Sequence, residues 1–164
     1  MNDTLLLIGL PGSGKTTVGG YIADRLGLPF TDCDTAIQQA EGMRIPAIFA
    51  EKGEPYFRAA EHRILAKLYK SRGQVIATGG GVVVAEENRK MLRSSGFVVF
   101  LDRDIQDIAA CVGNRERPLL RRYTLEELAE QRRGWYLECA DAVVCRGTAE
   151  ELAEQIIQLW RERI

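Results

Sequence analysis

A glycine-rich loop near the N-terminus is the part of this sequence whose chemistry is easiest to infer. Residues 9–16, GLPGSGKT, match the pattern GxxxxGK[ST]. In such a loop, backbone N–H groups surround a polyphosphate at the start of a helix. The lysine reaches the β- and γ-phosphates, and the hydroxyl ligates Mg²⁺. The loop therefore predicts a nucleoside triphosphate site with Lys15 and Thr16 in these two roles, but it does not identify the phosphate acceptor.

Two aspartates follow the second predicted strand. In FTDCD, Asp32 and Asp34 are two residues apart, so strand alternation would point both toward the carboxyl edge of the sheet, where ligands bind in open α/β folds. One carboxylate fits the outer shell of Mg²⁺, and the other could accept a hydrogen bond from an acceptor hydroxyl. Two alternatives stay open. Asp34 could simply cap the next helix, or Asp102, which ends the apolar run VVFLD, could serve the metal instead of Asp32.

Three consecutive glycines, Gly79, Gly80 and Gly81, follow the predicted strand QVIAT. Without side chains they would let a ligand lie against the main chain. A flexible turn is the alternative.

Arginines supply the cations that an anionic substrate needs. Arg58 and Glu61 are three residues apart on a predicted helix, where the carboxylate could orient the guanidinium. Further along, Arg117 stands beside Pro118 and is the better candidate for a lid over the phosphates. We expect Arg121 and Arg122 to be solvated. The remaining arginines of this part of the chain are Arg115, Arg132 and Arg133.

The elements that must position these residues alternate between strands and helices. Short aliphatic runs predict strands at residues 4–10, 29–32, 74–78, 97–101 and 142–145. Helical periodicity predicts helices at 15–27, 54–73, 124–140 and 148–163, with glycine stops at Gly27 and Gly73. Thr124 with Glu127, and Thr148 with Glu151, form capping boxes. The pattern is typical of an α/β domain with a mainly parallel sheet.

Length and composition fit one globular domain. The chain has 164 residues, 46% of them hydrophobic, with 22 basic against 23 acidic residues, so no global charge favours nucleic acid or an anionic membrane. No apolar run is long enough to span a bilayer, and no leader pattern is present, so we expect a cytoplasmic protein. The four cysteines lack CxxC spacing and are expected to be reduced, partly buried thiols.

Taken together, the motifs resemble the shikimate kinase family from end to end. GLPGSGKT, DCD, GMRIPAIFAEKGEPYFRAAE, ATGGGVV, RPLL and RRGWYLECAD occur in the family's order and approximate spacing. The resemblance implies a three-layer phosphate-loop kinase fold with a five-stranded parallel sheet flanked by helices. It also implies one domain over 1–164, with a substrate-binding helical region at about 33–61 and a lid at about 112–124.

The resemblance further implies transfer of the ATP γ-phosphoryl group to the 3-hydroxyl of shikimate by a monomer, with one Mg²⁺ per active site. Asp34, Lys15 and Arg117 would be catalytic. Shikimate would contact Asp34, Arg58, Gly79, Gly80, Gly81 and Arg132, with Glu61 orienting Arg58. ATP would contact Gly12, Ser13, Gly14, Lys15, Thr16, Thr17 and Arg117, and the metal would be served by Thr16 and Asp32.

Two features depart from the family pattern. Cys111 stands near the position where many members have an arginine that stacks on adenine, and RRGWY has glycine where proline is common. Arg132 is chosen over Arg133 for the carboxylate clamp by its spacing to Tyr136. Other acceptors, such as gluconate or a nucleoside monophosphate, are alternatives. A GTP-dependent switch is disfavoured because no NKxD motif is present and no DxxG follows a strand.

Overall fold

Five short apolar segments form a parallel β-sheet at the centre of the computed structural model, which describes residues 4–94, 96–112 and 124–163. The strand order is β2-β3-β1-β4-β5, and Leu6 in the central strand pairs with Ile76 on one side and Val98 on the other. All five predicted strands are confirmed, most of them slightly shorter than predicted. They are β1 (Leu5–Ile8), β2 (Phe30–Asp32), β3 (Val75–Ala77), β4 (Phe97–Leu101) and β5 (Ala142–Val144).

Helices connect the strands and cover both faces of the sheet. In the described ranges they are α1 (Lys15–Leu26), α2 (Cys33–Glu41), α3 (Ile45–Lys52), α4 (Glu54–Leu68), α5 (Glu86–Ser94), α6 (Ile105–Val112), α7 (Leu125–Cys139) and α8 (Ala149–Glu162), with a short 3-10 helix at Val82–Val84. Since parallel strands need crossover connections, helices on both faces are the expected arrangement.

The central strand divides its side chains between two cores. Leu5 and Leu7 pack in the core that contains residues of α1 and α8, whereas Leu6 and Ile8 pack in the core that contains residues of α4, α5 and α7. Successive side chains of a strand point to opposite faces, so a strand covered on both faces must be apolar throughout. These two cores fix the sheet, and therefore the edge at which the loops meet.

A third, smaller core lies where α2, α3 and α4 meet. Ile37, Ile48, Phe57 and Ala60 are buried there. This helical cluster includes most of the region that the resemblance assigns to substrate binding, about 33–61.

Several predicted helix ends are confirmed. Gly27 ends α1 with φ 64°, and the hydroxyls of Thr124 and Thr148 accept from the Glu127 and Glu151 backbone N–H groups at 3.1 and 3.2 Å. The predicted end of α4 at Gly73 is wrong, because the helix stops at Leu68. There the Gln74 side chain donates to the Leu68 and Ser71 carbonyls at 2.9 and 2.7 Å, satisfying groups that a longer helix would have bonded.

Some expectations concern residues beyond these elements. The predicted lid lies outside the described residues apart from its two ends, and so do Arg115, Arg117, Arg121 and Arg122. Among the described cysteines, Cys33 and Cys139 are buried free thiols, and Cys145 is an exposed one. Within the described ranges, none of the helices combines the length and apolar character that crossing a bilayer would require.

Candidate active site

The loops that follow β1, β2, β3 and β4 surround one cleft of about 880 Å³ at the carboxyl edge of the sheet. Such an edge is where open parallel sheets bind ligands, because the connections to the helices diverge there. The cleft brings together all the predicted site residues that the structure describes. These are Gly12, Ser13, Gly14, Lys15, Thr16, Thr17, Asp32, Asp34, Arg58, Glu61, Gly79, Gly80, Gly81 and Arg132.

The phosphate loop runs from the end of β1 into α1. Gly9, Gly12 and Gly14 have φ of 151°, 78° and 94°, angles that residues with a side chain rarely adopt. A Cβ on Gly9 would also lie 2.8 Å from the Leu101 carbonyl oxygen. Gly14 begins α1 without a side-chain cap, so the positive end of the helix faces the cleft. The ammonium of Lys15 donates to the carbonyls of Gly9 and Leu10 at 2.7 and 2.9 Å.

Asp32 connects the phosphate loop to the second strand. The Thr16 hydroxyl donates a hydrogen bond to Asp32 Oδ2, while Asp32 Oδ1 accepts from the Thr35 backbone N–H at 3.1 Å. Asp32 is therefore the N-cap of α2, and the alternative that Asp34 caps this helix is wrong. The argument from strand alternation is also wrong, since β2 ends at Asp32 and Asp34 lies in the first turn of α2. Both side chains line the cleft because the strand-to-helix turn places them there.

The three glycines after β3 let neighbouring groups approach the backbone closely, and they do not adopt unusual backbone angles. None of Gly79, Gly80 and Gly81 has a positive φ. A Cβ on Gly79 would lie 2.9 Å from both Asp34 Oδ1 and Glu61 Oε2. A Cβ on Gly80 would overlap the Pro11 ring, and one on Gly81 would overlap the Arg58 guanidinium. The missing side chains thus make room for neighbouring protein groups, a reason that the sequence alone did not indicate.

A buried cluster of charged side chains also lines the cleft. Arg58 Nη1 donates to Glu61 Oε1 at 3.0 Å, and Arg58 Nη2 donates to Glu54 Oε1 at 3.4 Å. Glu61 and Arg132 are each only 2% exposed. Within the described part of the chain, four buried polar atoms of this cluster have no hydrogen-bond partner. They are Arg58 Nε, Glu61 Oε2, Arg132 Nε and Arg132 Nη1.

Burial controls the electrostatics of this cluster. Desolvation raises the pKa of Glu61, and the positive charge and hydrogen bond of Arg58 act in the opposite direction. Two guanidinium groups therefore lie in a poorly solvated place beside the carboxylates of Glu54 and Glu61, with donors left over. That arrangement favours an anionic ligand, and a carboxylate matches the geometry of a guanidinium.

Tyr136 supports the site from α7. It is fully buried, its hydroxyl donates to the Gly80 carbonyl, and its ring stacks on Phe100 at 4.9 Å between centroids. Burial raises its pKa to about 12, with the charge of nearby Arg132 acting in the opposite direction. The sequence analysis used Tyr136 only to locate Arg132. Residues four apart share a helix face, so Tyr136 and Arg132 approach the glycine triplet, Gly79 to Gly81, from the same side of α7.

Arg133 and Asp102 lie outside the cleft lining. Arg133 Nη2 donates to Asp102 Oδ2 at 2.7 Å, and the two side chains are 49% and 24% exposed. Arg132, one residue earlier on α7, instead lines the cleft. Asp102 therefore has a partner at the surface, whereas Asp32 contacts the phosphate loop.

The sequence analysis did not single out several residues of the cleft. Phe49 and Phe57 line it with ring centroids 4.8 Å apart. Arg103 also lines it, directly after the strand end at Asp102. Its position just past a parallel strand that ends near the phosphate loop was a usable signal. Arg44 and Gln38 also line the cleft.

Comparisons with known proteins match this chain over almost its whole length. A family model described as shikimate kinase matches residues 11–161. A shikimate kinase from Symbiobacterium thermophilum is 39% identical, over 97% of each chain. The structure of shikimate kinase from Acinetobacter baumannii in complex with shikimate superposes with a TM-score of 0.92, at 35% identity over 97% of this chain and 93% of that one. The structure of the Aquifex aeolicus shikimate kinase gives a TM-score of 0.84, at 39% identity over 97% and 96% of the two chains.

Proposed function

The chain belongs to the shikimate kinase family, so it transfers the γ-phosphoryl group of ATP to the 3-hydroxyl of shikimate, and we propose how its residues divide that work. The observation that carries the proposal is the arrangement of the cleft. The phosphate loop, two partly unsatisfied arginines and Asp34 all line the same cleft. ATP and a carboxylated alcohol are the pair of substrates that such a cleft fits.

Arg58 and Arg132 bind the carboxylate of shikimate. Three of their guanidinium nitrogen atoms are buried without an acceptor, and a charge-assisted hydrogen bond is stronger in such a place than at the surface. Glu61 orients Arg58 through the bond of 3.0 Å. Gly79, Gly80 and Gly81 contact the ring through their backbone, because they have no side chains that would project between the backbone and the ligand.

Asp34 accepts the hydrogen bond of the shikimate hydroxyl that attacks the phosphorus. The turn after β2 places its carboxylate in the cleft beside Gly79. A carboxylate there orients the oxygen lone pair toward the γ-phosphate and can take the proton as the new O–P bond forms. Positioning contributes more than basicity, since phosphoryl transfer has a loose transition state.

Lys15 and the start of α1 bind the phosphates of ATP. Before ATP binds, backbone carbonyls accept from the Lys15 ammonium, and the phosphates replace those acceptors. The residues beside the loop also fit Mg²⁺, because the Thr16 hydroxyl and the Asp32 carboxylate are oxygen donors within hydrogen-bond distance of each other. When bound, Mg²⁺ neutralises charge on the phosphates; Thr16 and Asp32 would hold it, directly or through water.

Three further expectations remain part of the proposal. Arg117, which lies outside the described residues, contacts the γ-phosphate from a lid. The enzyme works in the cytoplasm as a monomer. The large exposed apolar side chains of the described residues are Tyr21, Leu137 and Val143, one on each of α1, α7 and β5. A dimer mass in light scattering at micromolar concentration would contradict the monomer.

Asp34→Asn tests the assignment of the acceptor site. We expect kcat to fall by about 10²- to 10⁴-fold, the usual contribution of a positioned acid or base, while the Kd for ADP stays unchanged. Shikimate-dependent ADP release in a coupled assay gives kcat, and calorimetry gives Kd.

Asp24→Asn is the matched control, since it makes the same change on an exposed position of α1. It should leave both quantities unchanged. An Asp34→Asn enzyme with the kcat of the parent would contradict the role of Asp34, and ADP release indifferent to shikimate would contradict the proposed reaction itself.

A further inference from the structure

Arg103 is a positively charged residue that lines the cleft, and the proposed function gives it no role. It follows β4 by two residues and is partly buried. Its guanidinium approaches the phosphate loop, since a Cβ built on Gly14 would lie 3.7 Å from Arg103 Nη1. Gly14 is the residue at which α1 begins. Arg103 therefore stands beside the positive end of this helix rather than beside an acid.

The acidic residues around Arg103 do not neutralise it. Asp102 accepts from Arg133 at 2.7 Å, and Asp104 Oδ1 accepts from the Gln106 backbone N–H at 2.9 Å. Asp107 lines the same cleft but is exposed and forms no bond with Arg103. In the described part of the chain, Arg103 has neither an ion-pair partner nor a hydrogen-bond acceptor. A partly desolvated guanidinium beside a helix N-terminus gains most from an anion that both can bind.

We propose that Arg103 binds the phosphates of the nucleotide that remain on ADP after transfer. The inference rests on the proposed function for the identity of the nucleotide. Lys15 donates to carbonyls inside the loop, on the side where lysines of this motif reach the β- and γ-phosphates. Arg103 lies beside Gly14, in the part of the motif where the backbone N–H groups bind the α- and β-phosphates.

This position has a kinetic consequence. A contact with phosphate oxygens away from the breaking O–P bond changes little between the ground state and the transition state. It therefore strengthens ATP and ADP binding without changing the chemical step. Arg103 is in this respect different from Lys15, which reaches the group in transfer.

Arg103→Gln in the full-length enzyme tests the proposal. We expect the Kd for ADP, measured without shikimate, and the KM for ATP both to rise about tenfold, the loss of one charge-assisted hydrogen bond. Inhibition by inorganic tripolyphosphate should weaken by the same factor, because this probe has phosphates and no base. The kcat and the KM for shikimate should change by less than about twofold. Arg103→Lys keeps the charge and should recover part of the loss.

Arg133→Gln removes the same charge from the same edge of the sheet and is the control for long-range electrostatics. Its Kd for ADP should match that of the parent. Equal ADP binding by Arg103→Gln and the parent would overturn the proposal. Weaker ADP binding with unchanged tripolyphosphate inhibition would overturn it too, since the contact would then be with the base. A parent enzyme that binds no ADP would instead contradict the proposed function.

Discussion

At the scale of single residues, the feature with the largest consequence is the buried guanidinium of Arg132. It is 2% exposed, and two of its nitrogen atoms lack partners among the described residues. A buried charge with unsatisfied donors destabilises the folded state unless a ligand supplies the missing acceptors. Under the proposal, the carboxylate of shikimate supplies the acceptors that these two nitrogen atoms lack.

Arg132→Met removes this charge while keeping a long side chain. We expect the KM for shikimate to rise by about 10- to 100-fold, because charge-assisted hydrogen bonds to the carboxylate are lost, while the KM for ATP stays the same. The melting temperature should change little, since the removal of unsatisfied buried donors is offset by the loss of the attraction between Arg132 and the buried Glu61 carboxyl. Steady-state kinetics and thermal unfolding measure the two effects.

Arg133→Gln is the neighbouring control, because it breaks only a partly exposed ion pair, which contributes little. It should change neither KM. If Arg132→Met melted well below the parent and bound shikimate normally, Arg132 would be a structural residue and the clamp assignment would be wrong.

At the scale of elements, the site depends on glycines whose missing side chains allow close packing. Gly79 and Gly81 make room for Asp34, Glu61 and Arg58, and the same principle acts on α1. A Cβ on Gly19 would lie 2.5 Å from the Phe30 ring and 3.3 Å from Leu7 Cδ1, so α1 packs closely on the sheet there. Gly20, the next residue, has no neighbour within 4 Å of such a Cβ. Close packing of α1 in turn fixes where the phosphate loop ends.

The glycine pair on α1 gives opposite stability predictions for two adjacent alanine substitutions. Gly20→Ala should stabilise the fold by about 0.5–1 kcal/mol, the usual gain from replacing glycine inside a helix. Gly19→Ala should destabilise it by about 1–3 kcal/mol, the usual cost of overpacking a core. Urea unfolding of the three proteins measures both changes, and equal effects at the two positions would contradict the packing described for α1.

At the scale of the whole molecule, the pH dependence of stability reflects the buried carboxyl of Glu61. Burial raises its pKa above the ordinary value of 4.5. Between that value and the higher pKa of the folded state, the native protein binds a proton that the unfolded chain has released. The contribution of Glu61 to the free energy of unfolding is therefore fully present below pH 4.5 and declines as the pH rises through the folded-state pKa.

Glu61→Gln should remove this dependence. The free energy of unfolding of the parent, relative to that of the variant, should decrease as the pH rises from 4.5 and then level off. Denaturant titrations at a series of pH values measure the difference. Glu54→Gln removes the more exposed carboxylate partner of Arg58 and controls for the loss of an ion pair alone. A difference between parent and Glu61→Gln that does not vary with pH would contradict the raised pKa.

Much of the fold could be predicted from the sequence, because local interactions encode it. Apolar runs marked the strands, and the threonines at 124 and 148 marked two helix starts. The end of α4 could not be predicted, because the Gln74 side chain that donates to the carbonyl of its last residue, Leu68, comes from the turn that leads into β3. Local patterns predict elements well and predict poorly the ends that a more distant group stabilises.

The sequence by itself determined the chemistry available to this protein. Residue type and spacing alone identify the phosphate loop, the two aspartates, the glycine triplet and the arginines. Together these features predicted the family. Only the tertiary structure decided what each residue contacts. It made Asp32 rather than Asp34 the helix cap, gave the glycine triplet its packing reason, buried Arg132 but not Arg133, and placed Arg103 beside Gly14. The physical reason is that burial, desolvation and close approach depend on groups far apart in the chain, and these meet only when the sheet brings its carboxyl ends to one edge.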